Sequence, residues 1–99
     1  MRVSLSAQAE TSLEQIGDYI AQDSPRQAMI FIRKLRKAAL ALGNHPKAYP
    51  LIPRYEKYGH RRKPYGSYVI IYTVDGDHVV IDAILHSAQD YEILLFPNA

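Results

Sequence analysis

Arg61-Arg62-Lys63-Pro64-Tyr65-Gly66-Ser67-Tyr68-Val69-Ile70-Ile71-Tyr72 leads into Asp75-Gly76, then into an apolar run from Val79 to Leu85, then to His86 and Asp90. Gly66-Ser67 and Asp75-Gly76 are two-residue turn signals, and the segments they separate are rich in Val, Ile and Tyr. The stretch therefore predicts three short antiparallel strands joined as a meander, the first two over Arg61–Tyr65 and Tyr68–Val74. An Asp75-Gly76 loop sets Tyr72 opposite Val79, Ile70 opposite Ile81 and Tyr68 opposite Ala83, an apolar face suited to helices. The other face carries Val69, Ile71, Val80 and Ile84 beside Arg62, Thr73, Asp82 and His86. That second face is unusually apolar for a surface no helix reaches. Either the tail Tyr91-Glu92-Ile93-Leu94-Leu95-Phe96 folds over it or another chain does, and a partner covering part of it is the favoured expectation.

Upstream of the meander the period changes from two to 3.6 residues. Met1 to Leu5 alternates Val3 and Leu5 against Arg2 and Ser4, a short strand. Ser6 can cap a first helix on which Ala9, Leu13, Ile16 and Ile20 share one face, with Glu10, Glu14 and Asp18 on the opposite one. Ser24-Pro25-Arg26-Gln27 starts a second helix through a capping Ser, Pro at the first helical position and a capping-box Gln. Ala28, Phe31, Ile32, Leu35, Ala38, Ala39 and Leu42 line that helix, which stops at Gly43-Asn44. Joined by Gln22-Asp23-Ser24, the two make an antiparallel hairpin with one apolar seam. His45 to Pro53 contains three prolines and reads as a loop from helix to sheet, pinned by Tyr49, Leu51 and Ile52. The expected fold is α+β: an N-terminal strand and an antiparallel helical hairpin packed on a small antiparallel β-sheet, as one domain over residues 1–99.

Charge is segregated along the chain. Residues 1–25 set Arg2 against four acids, a net of −3; residues 26–63 set eleven Lys or Arg against Glu56 alone, a net of +10; residues 64–99 hold five acids and no Lys or Arg, a net of −5. Such asymmetry suggests a basic surface meeting an acidic partner, whereas Arg33, Lys34, Arg36 and Lys37 alone fit a solvated helix face equally well. The chain has no cysteine, which removes disulfides, thiolate zinc sites and a cysteine nucleophile together. The N-terminus carries no signal-peptide apolar block, and no apolar run approaches the roughly 20 residues that span a bilayer. The expectation is a cytoplasmic protein. His45, His60 and His78 lack metal-ligand spacing, so no metal is assigned. No Gly-rich nucleotide loop is present either, and no cofactor is assigned.

These elements, in this order, resemble the ParE/RelE superfamily of toxins from type II toxin–antitoxin systems. The similarity spans nearly the whole chain. It rests on Ala9-x-x-x-Leu13-x-x-Ile16-x-x-Tyr19-Ile20, Pro25-x-x-Ala28, Pro53 and Arg61, then Tyr68-Val69-Ile70-Ile71-Tyr72, Val80-Ile81, and His86 with Asp90. The resemblance implies a helical hairpin on a small sheet, agreeing with the periodicity. It also implies one of two activities, since RelE-like members cut messenger RNA in the ribosome and ParE-like members poison DNA gyrase.

Metal-independent RNA cleavage needs a base for the 2′-hydroxyl, an acid for the leaving oxygen and cations on the phosphate. Arg61, Arg62, His86 and Tyr91 are the candidates for that work. RelE-like enzymes place basic residues on the last strands and tail, and here the last 36 residues have none. In the expected register Arg62 faces Ile71 and Val80, leaving His86 six residues further along, roughly 20 Å at about 3.3 Å per residue. A lone His ending an apolar strand is more often structural, and Asp90 could accept its proton and cap the tail. Asp75 and Asp77 suit turn geometry. The residues thus favour a ParE-like toxin that grips gyrase through Arg61, Arg62, Tyr91 and Phe96. A cognate ParD-like antitoxin is expected to bind at Phe31, Arg33, Arg36, Val69 and Ile71 through an acidic amphipathic segment. As the resemblance implies, the toxin–antitoxin hetero-oligomer would bind operator DNA through the antitoxin. The alternatives are a RelE-like ribosome-dependent endoribonuclease, or an inactive member that only binds its antitoxin and co-represses.

Overall fold

The computed structural model describes residues 1–97. Strand β1 (Arg2–Leu5) leads into helices α1 (Ala7–Ala21) and α2 (Pro25–Leu40), followed by a 3₁₀ turn at Ala41–Gly43. A loop with a second 3₁₀ turn at Glu56–Tyr58 precedes β2 (Arg61–Tyr65), β3 (Tyr68–Asp75), β4 (His78–His86) and a short α3 (Tyr91–Leu95). Local chemistry sets the helix starts. The Ser6 hydroxyl accepts from the Ala9 N–H at 3.0 Å and donates to the Asp82 carbonyl at 2.8 Å, so one side chain caps α1 and ties it to β4. Ser24 accepts from the Gln27 N–H at 3.2 Å with Pro25 behind it. The apolar stripe of α2 buries Ala28, Leu35 and Ala39, and its last turn tightens into the 3₁₀ segment before Asn44. No helix among the described residues is long and apolar enough to cross a membrane.

The α+β class and hairpin-on-sheet architecture are as the sequence reads. The sheet order is β1-β4-β3-β2. β1 runs parallel to β4, with Val3 beside Val79 and Leu5 beside Ile81, so the sheet is mixed rather than wholly antiparallel. The β2–β3 register, Arg61 with Tyr72 and Arg62 with Ile71, is the expected one.

The next hairpin differs. Its loop is Gly76-Asp77, because Asp75 pairs with His78 and Gly76 alone there takes positive φ, +60°. Glycine at the first central position defines a II′-type turn, whereas an Asp-Gly reading assumes the glycine is second. The same geometry holds at Gly66, φ +57°. Tyr72 consequently meets Ile81, two residues beyond the expected Val79.

A β-bulge then follows. Tyr72 pairs with Ile81 but Ile71 with Ala83, leaving Asp82 without a counterpart. Past a bulge the inside–outside alternation is reset. Ile84 therefore joins Ile70 in the core under the helices, and Ala83 and Leu85 join Val69 and Ile71 on the outer face. The expected positions of Ala83 and Ile84 are exchanged. His86 also changes sides, pairing with Tyr68, whose ring packs against Phe31 of α2 at 5.7 Å.

Two cores result. Between helices and sheet lie Leu13, Ile16, Leu35, Ala39, Ile70, Tyr72 and Ile81. Outside the sheet lie Ile52, Val69, Ile71, Ala83, Leu85 and Phe96, with Tyr55, Tyr91 and Leu95 packed against them. The tail itself covers the outer face. Of the two expected covers the tail is the one seen, Phe96 being only 8% exposed and the residues beneath it buried.

Candidate functional site

Pleat alternation sends neighbouring residues of β2 to opposite faces, and the three basic residues there separate accordingly. Arg61 turns to the helix side, where its Nη1 donates to the Tyr49 carbonyl at 2.7 Å. Tyr72, paired with Arg61 across the strands, donates its hydroxyl to the Pro46 carbonyl at 2.8 Å. Together they fasten the proline-rich loop to the sheet. Lys63 shares that side and donates to the Ala38 carbonyl near the end of α2 at 2.9 Å. Burial pushes the Lys63 ammonium pKa down.

Arg62 alone faces outward. Its guanidinium lies over the Tyr91 ring, 5.6 Å from the centroid, and its buried Nε has no hydrogen-bond partner. Tyr91 opens α3, whose first turn is capped by Asp90: its Oδ1 accepts from the Ile93 N–H at 3.3 Å. At the other end of α3, Phe96 stacks on Tyr55 at 4.3 Å and on Tyr58 at 4.9 Å, with the edge of His60 at 5.4 Å. Phe96 therefore anchors the tail and does not present a surface to a partner. The residues of α3 that do face solvent are Ile93 and Leu94, 65% and 55% exposed.

The cleavage candidates do not converge. Arg62 and Tyr91 meet on the outer face. Arg61 and His86 are on the helix side. In the observed register Arg62 stands across from Ile71 and Ala83, so His86 is about 10 Å further along at 3.3 Å per residue, half the expected separation. The sheet itself stands between them. His86 is engaged locally: its ring meets Tyr68 edge-on at 5.3 Å and its Nδ1 accepts from the Ala88 N–H at 3.1 Å. Asp90 caps the tail as expected, but among the described contacts its carboxylate is not paired with His86. His86 instead borders a groove of about 760 Å³ with Ser12, Tyr19 and Phe31.

Sequence reading passed over a pair at the bulge. His60 and Arg62 are two residues apart and share the outer face, and Asp82, the bulged residue, meets the first of them, His60 Nε2 to Asp82 Oδ2 being 3.7 Å. His60 Nδ1 and Asp82 Oδ2 are both buried without hydrogen-bond partners. The i, i+2 spacing of His60 and Arg62 and the outer-face position of Asp82 were visible beforehand; that His60 meets Asp82 was not. Burial pushes the Asp82 pKa up, offset in part by the charge of His60 and a hydrogen bond from Thr73. With the folded value above the unfolded one, the stability this carboxyl contributes is present below the ordinary carboxylate range. It is lost as pH rises through the folded pKa. Asp82→Asn is accordingly expected to flatten the pH dependence of melting in that range, and to be the more stable protein above it by up to about 1 kcal/mol. Thermal melts of both proteins from acid to neutral pH check this; a wild type that gains on the variant as pH rises would reverse the assignment.

On the hairpin, Phe31 is half-buried between Tyr65 and Tyr68 at 6.1 and 5.7 Å. Arg36 grips Glu10 through two hydrogen bonds of 3.0 Å. That bond, more than charge alone, lowers the Glu10 pKa and raises that of Arg36. Arg33 is exposed one turn away. Val69 and Ile71 lie buried under the tail, so of the five expected antitoxin contacts only the hairpin residues are open to a partner. Among the described residues no three His, Asp or Glu side chains gather as a metal site would need.

Several solved structures share this fold, two of them from toxin–antitoxin systems. The chromosomal ParDE toxin–antitoxin system from P. aeruginosa matches with a TM-score of 0.74 at 18% identity, covering 87% of this chain and 95% of that one. The toxin–antitoxin complex RelBE2 from Mycobacterium tuberculosis matches with a TM-score of 0.64 at 22% identity, covering 86% and 95%. No curated protein sequence matches the chain. Residues 3–91 match the family model described as the ParE toxin of the type II toxin–antitoxin system parDE. The match takes in the hairpin, all of the meander and all but the first residue of β1, and the chain belongs to the ParE toxin family.

Proposed function

We propose that this protein is a toxin that inhibits DNA gyrase and is neutralised by a cognate ParD-like antitoxin. The observation that carries the reading is the separation of the cleavage candidates by the sheet. A general acid or base at His86 and a phosphate cation at Arg62 work on one phosphate only if they share a face. What remains on the outer face is a binding surface: Arg62 and Tyr91, with the exposed Ile93 and Leu94 beside them. A surface of cation, aromatic ring and aliphatic side chains suits contact with another protein.

The antitoxin reading rests on the exposed basic face of α2, including Arg33, Lys34 and Lys37. An acidic amphipathic helix fits there, and operator binding would be the antitoxin's work within the hetero-oligomer. The two solved neighbours, both described as toxin–antitoxin systems, support that expectation.

The test pairs two assays. Purified protein is expected to block supercoiling by gyrase and accumulate cleaved plasmid, while leaving messages on translating ribosomes intact. Codon-specific cuts with gyrase unaffected would overturn the proposal. Arg62→Ala is expected to reduce gyrase inhibition at least tenfold while antitoxin binding stays near wild type. Unchanged inhibition would move the toxic surface off this face.

A further inference from the structure

The hairpin's outward side is a groove between α1 and α2 whose two walls carry opposite charge. Glu10, Glu14 and Asp18 stand on the α1 wall, and Arg33 and Arg36 on the α2 wall. Leu13, Ala28 and Ile32 make the floor, with Met29, 55% exposed, at the rim. Only one pair closes across it, Glu10 with Arg36 at 3.0 Å. Among the described residues Glu14, Asp18 and Arg33 take part in no salt bridge.

A surface with one acidic and one basic stripe, side by side, is complementary to itself under one symmetry operation. A two-fold axis parallel to the helices lays α1 of one copy on α2 of the next, acid on base, twice over. A two-fold axis across the helices would lay α1 on α1, acid on acid, and is disfavoured. Because the first operation preserves position along the hairpin, residues level with each other on α1 and α2 also meet between copies. The Glu10–Arg36 bridge sets that level. Arg33 lies three residues before Arg36 on α2, which runs antiparallel to α1, and Glu14 lies four residues after Glu10. Glu14 of each copy therefore comes opposite Arg33 of the other.

We infer that two copies of this chain associate through the hairpin groove as an isologous dimer, paired by Glu14 and Arg33. This inference does not depend on the target of the toxin. The dimer is weak. Each helix is about 23 Å long and about 10 Å wide, so two give a footprint of roughly 450 Å² per copy, short of the roughly 800 Å² of standard stable interfaces. A dissociation constant on the order of 10 μM is expected, rising with salt as exposed charges are screened. The interface also overlaps the basic face proposed for the antitoxin, so self-association and neutralisation would compete.

Sedimentation of the full chain, without antitoxin, tests the inference over a range of concentration and salt. Wild type is expected to dimerise, and Glu14→Lys and Arg33→Glu are each expected to weaken the dimer at least tenfold. Both side chains are exposed, and unchanged melts confirm that each variant is folded. An equimolar mixture of the two variants is the decisive sample. Under this two-fold axis the introduced lysine of one chain faces the introduced glutamate of the other, and the native Arg33 and Glu14 face each other at the second contact. The mixture should form heterodimers with roughly wild-type affinity. A wild type that stays monomeric, a dimer indifferent to both variants, or a mixture that fails to associate would each overturn the assignment. Antitoxin binding is measured separately, so its failure would leave this result untouched.

Discussion

Phe96→Ala is expected to destabilise the protein by about 3–5 kcal/mol, the range for truncating a buried aromatic side chain. The residue is 8% exposed and fills the space between Tyr55, Tyr58 and His60 above the outer face. Its loss removes the anchor of α3, and with it the cover over Val69, Ile71, Ala83 and Leu85. For a domain of this size each kcal/mol moves the melting temperature by roughly 4–8 °C, so the midpoint should fall by at least about 12 °C. Urea titration and a dye that binds exposed apolar surface measure the two consequences together. Leu94→Ala is the control, since that side chain is 55% exposed and its removal should change stability by less than about 0.5 kcal/mol. Deleting Ile93 to Ala99 should be worse than Phe96→Ala and should bring aggregation. The last two residues of that deletion, Asn98 and Ala99, lie outside the described residues. A truncated protein that stays soluble and melts like wild type would show that the tail is not the cover of the sheet.

Gly43→Ala should also be destabilising, by about 1–3 kcal/mol, the usual cost of overpacking. The sign is the informative part. Glycine in a helical turn normally gives way to alanine with a gain of about 0.5–1 kcal/mol. Here an added Cβ would stand 2.6 Å from the Met1 carbonyl oxygen and 2.9 Å from Val3 Cγ2. Met1 is held in place by its own amino group, which donates to the Gly43 carbonyl at 2.9 Å. Making room therefore means moving β1, and with it the Val3–Val79 pairing. Denaturant titration gives the free energy, and hydrogen exchange of β1 amides should report the loosening. A more stable Gly43→Ala protein would mean that β1 is not seated against this turn.

The hairpin was legible because its signals are local. Ser6 and the Ser24-Pro25 pair cap helices through neighbours three residues away, and the apolar stripes on α1 and α2 repeat at the helical period. The β2–β3 pairing was legible for the same reason, Gly66-Ser67 fixing Arg61 against Tyr72. Gly43 was legible only as a stop signal; its close approach to Met1 needs the chain folded.

The bulge at Asp82 has no sequence mark. It sits where β4 is paired with β3 on one side and has just left β1 on the other, with the Asp82 carbonyl taken by the Ser6 hydroxyl. That single extra residue decides which side Ile84, Ala83 and His86 take. It thereby separates His86 from Arg62 by the sheet. The apolar character of the outer face was plain in the sequence, as was that of the tail. Only the tertiary structure decided that the two belong together, because burial of apolar surface is non-directional and a partner would satisfy it as well. The choice falls to the tail because Asp90 caps α3 and Tyr55, Tyr58 and His60 offer Phe96 a place to stack.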